Sequence, residues 1–365
     1  MKQIYKILII LVVIVVIAIG VYLSWKKIIG LPNDGNVLPP PGQTPNPPTG
    51  TEIKKISEQP VFDFWLVPDT GEIYYLTPDG KILSAKDGPD LEISTQTINA
   101  LNFIEVGPGN QKILAAFGSP RAPQWGIFDL IDKVWRPLPA DITNATWGAK
   151  ENELIAILKT LGGLNLATVD LSKTPPNYKT LIKDFRLKDV RFTLAAPERL
   201  IITELPSANY TGRVWQLDLK TLTFNLILAP ENGLTLGWSQ DKNVVFKFSS
   251  ENGFSLFNQN FQETAPLFFS TLPTKCETSG TSTIYCFVPQ DVPDDVILPD
   301  DYFQNKFYSV DDLYTINLET DETKKIFKSS ENGAPTIDGK KPKALSSGLY
   351  FINRYDNYLY ELKLL

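Results

Sequence analysis

Along most of this chain, apolar residues fall into short runs rich in Val, Ile, Leu, Phe, Tyr and Thr, and Gly, Asn, Asp and Pro separate the runs. Such runs read as β-strands joined by tight turns. From Thr51 onward no stretch keeps its apolar residues at helical spacing for three turns. The runs recur in one phrase. An apolar strand ends in Asp or Asn followed by Leu, and a polar turn leads into the next strand. Clear copies are Ile127-Phe128-Asp129-Leu130, Thr168-Val169-Asp170-Leu171, Gln216-Leu217-Asp218-Leu219 and Thr315-Ile316-Asn317-Leu318. Weaker copies lie around Ala85, at Phe257-Asn258 and at Tyr360-Glu361-Leu362.

These seven copies stand about 40–48 residues apart, with one interval of about 59 between Asn258 and Asn317. That period is the mark of a four-stranded propeller blade. The pattern therefore predicts an all-β, seven-bladed β-propeller of four-stranded antiparallel blades over residues 51–365. In the fifth repeat it predicts an inner strand at 235–239, a second at 244–248, a third at 254–258 and a fourth at 263–268. The seventh repeat offers three strands only, while a spare strand, 52–57, precedes the first inner strand at 61–66. Pairing the spare strand with 357–362 would complete the seventh blade and remove two open sheet edges.

The first fifty residues follow a different pattern. Ile7 to Leu23 is unbroken apolar sequence, with Tyr22, Trp25, Lys26 and Lys27 at its end. This is long enough to cross a bilayer, with the flanking residues as interfacial anchors. The expected division is a short cytoplasmic segment 1–6, a transmembrane signal anchor 7–25, a tether 26–50 and the propeller 51–365. A cleaved signal peptide, with Ala18-Ile19-Gly20 as its small-residue site, is the rival reading. Seven prolines between Leu31 and Gly50 make the tether a semi-rigid extended spacer. The expected localisation is the cell membrane, single-pass, with the carboxyl-terminal domain outside.

Composition narrows the chemistry. Histidine is absent, which removes imidazole acid/base catalysis and histidine metal sites. The net charge is −6, and four lysines (Lys2, Lys6, Lys26, Lys27) precede the first acid, Asp34, so the rest carries −6 − 4 = −10. An acidic head argues against a nucleic-acid partner. The two cysteines, Cys276 and Cys286, are equidistant from Thr281. A hairpin turning there would place them face to face on adjacent strands, where a disulfide fits. Two inert thiols or a redox pair are the alternatives.

An acidic insertion, 290–307, carries Asp291, Asp294, Asp295, Asp300 and Asp301 with Tyr302, Phe303 and Phe307, and Asp311 and Asp312 follow. It reads as a solvated loop, a partner-binding loop or a metal loop, although Asp-x-Asp-x-Asp-Gly spacing is absent. Three Glu-Asn-Gly triplets end at Gly233, Gly253 and Gly333 and read as tight turns with positive φ at Gly.

The turn Trp238-Ser239-Gln240-Asp241, with the degenerate Trp147-Gly148-Ala149-Lys150, resembles the Trp-Ser-Pro-Asp turn of TolB-like and WD40-like propellers. More narrowly, Lys275-Cys276, Tyr285-Cys286-Phe287-Val288-Pro289 and Leu298-Pro299-Asp300-Asp301-Tyr302 resemble membrane-anchored propeller proteins of small-genome bacteria. The resemblance implies a fold and brings no activity with it.

No catalytic set, cofactor motif or metal site is visible, so the expected function is non-catalytic: binding of a protein or cell-envelope component. The candidate binding face comprises Arg121, Tyr210, Arg213, Asp300, Asp301, Tyr302 and Tyr355, on loops joining second to third strands or close to them. The alternatives are an envelope-glycan-active enzyme with Asp300 and Asp301 as acid and base, and a structural subunit of an envelope complex.

Overall fold

The computed structural model describes residues 52–364, apart from 68–69, 87, 268, 281, 331–333 and 346–347. The anchor and tether lie outside the described residues, and among the described residues no helix is long and apolar enough to cross a membrane.

Each repeat forms one four-stranded antiparallel sheet, and there are seven. Blade 1 holds β2 (Asp63–Val67), β3 (Glu72–Leu76), β4 (Ile82–Lys86) and β5 (Gly88–Ser94). Blade 2 holds β6 (Leu101–Val106), β7 (Lys112–Ser119), β8 (Ala122–Asp129) and β9 (Val134–Pro137). Blade 3 holds β10 (Ile142–Trp147), β11 (Glu153–Thr160), β12 (Gly163–Asp170) and β13 (Asn177–Ile182). Blade 4 holds β14 (Val190–Ala196), β15 (Arg199–Glu204), β16 (Thr211–Asp218) and β17 (Phe224–Asn232). Blade 5 holds β18 (Thr235–Trp238), β19 (Val244–Ser249), β20 (Gly253–Asn258) and β21 (Glu263–Pro266). Blade 6 holds β22 (Cys276–Ser279), β23 (Thr283–Pro289), β24 (Asp311–Asn317) and β25 (Thr323–Phe327). Blade 7 holds β26 (Gly339–Leu345), β27 (Gly348–Asn353), β28 (Leu359–Leu362) and, as its outer strand, β1 (Ile53–Lys55).

The repeated Asp/Asn-Leu phrase has a physical cause. At the end of the third strands of blades 2 to 6 the acid or amide oxygen accepts backbone N–H groups of the turn that follows. Asp129 Oδ1 takes Ile131 N at 2.9 Å, Asp218 Oδ1 takes Thr221 N at 2.7 Å and Asn317 Oδ1 takes Glu319 N at 2.8 Å. Asp170 and Asn258 do the same. Such side-chain caps are what make Asp and Asn turn formers. The next residue, Leu, donates its N–H to the turn before the second strand: Leu130 to Gln111 O, Leu171 to Asn152 O, Leu219 to Glu198 O and Leu318 to Ser282 O. One dipeptide thus turns the chain and ties two turns of the blade together.

Second strands read as continuous apolar runs because a blade is covered on both faces by its neighbours. Leu154 to Leu158 in β11 are all buried. The buried side chains form seven clusters, one at each junction between blades. Trp65, Leu76, Ile113 and Phe128 fill the junction of blades 1 and 2. Val61, Phe64, Tyr350 and Leu359 fill that of blades 7 and 1, so the ring closes through core as well as through backbone. The cluster between blades 4 and 5 is the smallest, with Ile201, Val214 and Leu234 as its only fully buried members among the described residues.

Closure follows the expected register. Ile53 pairs with Leu362 and Lys55 with Tyr360, Ile56 N donates to Leu359 O at 2.9 Å, and Leu359 N donates to Ser57 Oγ at 3.0 Å. The chain therefore enters blade 7 from the end where first strands finish, here called the bottom. Loops joining second to third strands, and each blade to the next, lie at the top. Of the Glu-Asn-Gly turns, Gly233 (φ 67°) and Gly253 (φ 69°) take the expected positive φ. The third triplet lies outside the described residues.

Deleting residues 51–58 should leave the edge of β28 unpaired and lower the Tm by about 5 °C or more. Differential scanning calorimetry checks this, and an unchanged Tm would count against the closure.

Candidate functional site

The insertion after β23 gives the top face its shape. It runs from Gln290 to Val310 between β23 and β24, a little longer than the expected 290–307. Apart from one helical turn, α1 (Asp300–Phe303), it has no regular structure, so its path is set by what it bonds. It reaches across to three other blades. Asp300 accepts Ala208 N (2.9 Å) and Ser207 Oγ (3.2 Å) from the β15–β16 loop of blade 4. Ser250 of blade 5 donates its hydroxyl to Leu298 O at 2.8 Å. Arg354, from the β27–β28 loop of blade 7, donates to Tyr302 O, Phe307 O and Asn305 Oδ1 at 2.9, 3.2 and 3.1 Å. At Gly233 a Cβ would sit 2.9 Å from Pro299 Cδ, so glycine there serves both the turn and the close approach of the insertion.

Under the insertion lies a buried ionic network. Lys275 Nζ, immediately before β22, donates to Asp311 Oδ2 (2.5 Å), Asp338 Oδ1 (2.6 Å) and Ser309 Oγ (3.1 Å). Asp338 Oδ2 accepts Arg354 Nη1 at 2.6 Å, and all four charged groups are buried. Burial opposes the charge on Lys275, but the two carboxylates outweigh it and hold the ammonium above its ordinary range. The Arg354 guanidinium lies between two rings, 3.8 Å from the centroid of Tyr302 and 4.6 Å from that of Tyr308. Tyr308 stacks in turn on Tyr355 at 5.8 Å. A single column therefore runs from the buried network to the surface.

Several expectations need correction. Tyr302 is 5% exposed and acts as a core residue beneath the insertion, because its ring packs on Arg354 and against the apolar core between blades 5 and 6. Asp311 and Asp312 are buried strand residues rather than acids of a solvated loop. Asp311 faces Lys275, and Asp312 pairs with Lys325 at 2.7 Å. Asp300 docks the insertion on blade 4, and Asp301 Oδ2 accepts Ile297 N at 2.8 Å within the insertion. The two carboxylates thus have separate structural tasks. The β7–β8 loop is a tight turn, since Gly118 pairs with Pro123 and Ser119 with Ala122, and exposed Arg121 sits in that turn. Arg213 lies in β16 and faces Glu204 at 3.7 Å. Tyr210 (76% exposed) and Tyr355 (45% exposed) are surface residues of the top face.

Tyr210 and Tyr355 share the top face with four other exposed apolar side chains that the sequence did not show, and the six are called the belt here. Leu205 and Tyr210 flank the docking site of the insertion on blade 4, Ile297 and Phe303 come from the insertion, and Tyr308 and Tyr355 form its blade 7 end. Exposed aromatic and aliphatic side chains on a preformed support suit a partner surface. Among the described residues, no group of Cys, Asp and Glu is placed to hold a metal ion.

Cys276 and Cys286 are joined by a disulfide, and the two residues are direct cross-strand partners in β22 and β23. Cys286 lies inside β23, which continues three residues to Pro289, so the bond holds the strand that launches the insertion rather than its end.

No known protein family and no curated protein matches the chain. Among solved structures it is similar to the β-propeller domain of Cps50 (Swd1) from Myceliophteria thermophila. That match has 9% identity and a TM-score of 0.56, and covers 86% of this chain and 100% of that one. It is also similar to an oligogalacturonate lyase in complex with manganese, at 10% identity and a TM-score of 0.50, over 86% of this chain and 98% of that one. TolB from Acinetobacter baumannii shares 17% identity over 57% of this chain and 54% of its own, with a TM-score of 0.42. Identities this low establish the fold alone.

Lys275→Met should leave two buried carboxylates facing one another and cost about 3–5 kcal/mol of stability at neutral pH. Denaturant unfolding measures it, and a loss below ~1 kcal/mol would show that the network does not hold the junction. Replacing both cysteines by Ser should cost no more than about 2–3 kcal/mol, because the closed loop is short. The propeller should stay folded, and faster hydrogen exchange should be confined to residues between Cys286 and Asp312.

Proposed function

We propose that this chain is a non-catalytic binding module that presents its top face to a protein partner of the cell envelope. The observation that carries the reading is the exposed belt of Leu205, Tyr210, Ile297, Phe303, Tyr308 and Tyr355, contributed by blades 4, 6 and 7. The insertion is bonded to both blade 4 and blade 7, so the belt is organised before any partner arrives. A preorganised surface binds more tightly for the same area, since little ordering is left to be done.

Anchoring by residues 7–25, with the propeller outside the cell, is part of this proposal. The apolar run and its interfacial flank support it. A structural subunit of an envelope complex would use the same belt and differ in how long the partner stays bound.

The test is affinity capture of envelope proteins on the surface-displayed chain, with defined variants. Ile297→Ser with Tyr355→Ala should reduce recovery of a specific partner about tenfold or more, while the bottom-loop change Leu222→Ser should not. Equal recovery by both variants would overturn the assignment of the face.

A further inference from the structure

The outer strand of each blade turns one edge to the solvent, with backbone N–H and C=O groups that no neighbouring strand takes up. Short strands, charges and prolines ordinarily keep such an edge from pairing with another chain. Six of the seven outer strands here carry a charged residue within them: Lys54 in β1, Glu92 in β5, Arg136 in β9, Lys179 in β13, Glu263 in β21 and Lys324 in β25. The outer strand of blade 4, β17, is built differently. It is the longest of the seven, with nine residues, and from Phe224 to Ala229 it has neither a charge nor a proline.

The edge is apolar on its surface as well. Of the twelve large apolar side chains exposed among the described residues, six make the belt, and three of the other six stand together here: Leu222, Phe224 and Leu226. Phe224 and Leu226 lie on one face of the sheet, opposite Leu217 and Trp215 of β16, and the Phe224 ring is 5.9 Å from that of Trp215. Their backbone groups point outward. Asp218 N donates to Thr223 O at 3.0 Å, which makes 218 and 223 a hydrogen-bonded pair. The alternation of an antiparallel ladder then puts Phe224 and Leu226 in non-hydrogen-bonded pairs with Leu217 and Trp215, so the N–H and C=O groups of both face the solvent. A bulge at Ile227 ends the regular edge, which leaves Asn225 at its centre.

We propose that β17 is a self-association edge, to which a second copy of this chain adds its own β17, antiparallel, about a two-fold axis through Asn225. In that register Phe224 faces Leu226 of the second copy, and Leu226 faces its Phe224. Each facing pair exchanges two backbone hydrogen bonds and sets an aromatic ring against a leucine, so the free groups of both edges are used at once. On the other face Asn225 meets Asn225 of the second copy, amide to amide. Residues 221–230 carry no charge, so the two-fold brings no like charges together, which is the ordinary bar to a self-paired edge. In a chain of net charge −6, this neutral apolar edge is where two copies meet with least repulsion. The contact is isologous and closes on itself, so one dimer removes both unprotected edges. It lies on the perimeter of the ring and stands or falls independently of the top-face belt.

Sedimentation velocity of the full-length chain in detergent solution tests it. A reversible monomer–dimer equilibrium should appear within the micromolar to high-micromolar range. Phe224→Lys with Leu226→Lys sets lysines opposite lysines and should raise the dissociation constant about tenfold or more. Mixing that variant with a chain carrying Phe224→Glu and Leu226→Glu should restore a dimer of one copy of each, which a general loss of fold would not allow. Asn225→Cys tests the register with the apolar side chains intact. Opposed residues of a non-hydrogen-bonded pair stand about 4.5 Å apart at Cα, within disulfide reach, so this variant should cross-link to its own copy. Lys179→Cys on β13 should stay uncross-linked, and the native cysteines are already joined to each other. A monomer throughout the range would overturn the proposal. So would a dimer that the lysine pair leaves unchanged, or a failure of Asn225→Cys to cross-link.

Discussion

The arrangement of the top face depends on the buried network of Lys275, Asp311, Asp338 and Arg354. Taking four charges out of water is costly unless every lone pair and proton is used. Here backbone groups add to the set, Gly339 N donating to Asp311 Oδ2 at 2.8 Å and Ser309 N to Asp338 Oδ2 at 3.1 Å, and Asp311 Oδ1 alone of the four carboxylate oxygens is buried without a hydrogen bond. Two of the four residues enter inner strands, one begins a third strand and one sits in a top loop. Pairing all four charges therefore aligns blades 6 and 7 and fixes the root of the insertion together. Gly339 belongs to the same constraint, since a Cβ there would lie 2.4 Å from the Phe287 ring. Specific geometry, more than net stability, is what such a network supplies in this fold.

The insertion in turn joins blades whose own packing is thin. Between blades 4 and 5 only three apolar side chains among the described residues are fully buried, whereas the junction of blades 5 and 6 buries a run from Phe246 through Tyr302 to Ile316. The hydrogen bonds from Ser207, Ala208 and Ser250 to the insertion lie at the top of that thin junction. A chain segment without strands of its own is thus held by four blades at once, and its exposed Ile297, Phe303 and Tyr308 inherit that rigidity. Its rigidity and its use as a recognition surface have one origin.

Much of the fold was legible because the signals are local. An Asp or Asn oxygen that caps a turn two residues on recurs in five of the seven repeats, so the blade period could be read directly. Strand β1 could be paired with β28 because the seventh repeat lacked a strand and the leading segment had one to spare. The cysteine pairing was legible for the same reason: two strands and a short hairpin decide it.

The site was much less legible, because its contacts join residues far apart in the chain. Lys275 meets Asp338 across 63 positions, and Ser207 meets Asp300 across 93. Read along the chain, Asp300, Asp301, Tyr302 and Asp311 form one acidic, aromatic stretch, and such a stretch reads as solvent-facing. In three dimensions each has a different neighbour: a blade 4 loop, an insertion N–H, an arginine face and a buried lysine. Burial of a charge is decided by its partner, and the partner here arrives from another blade.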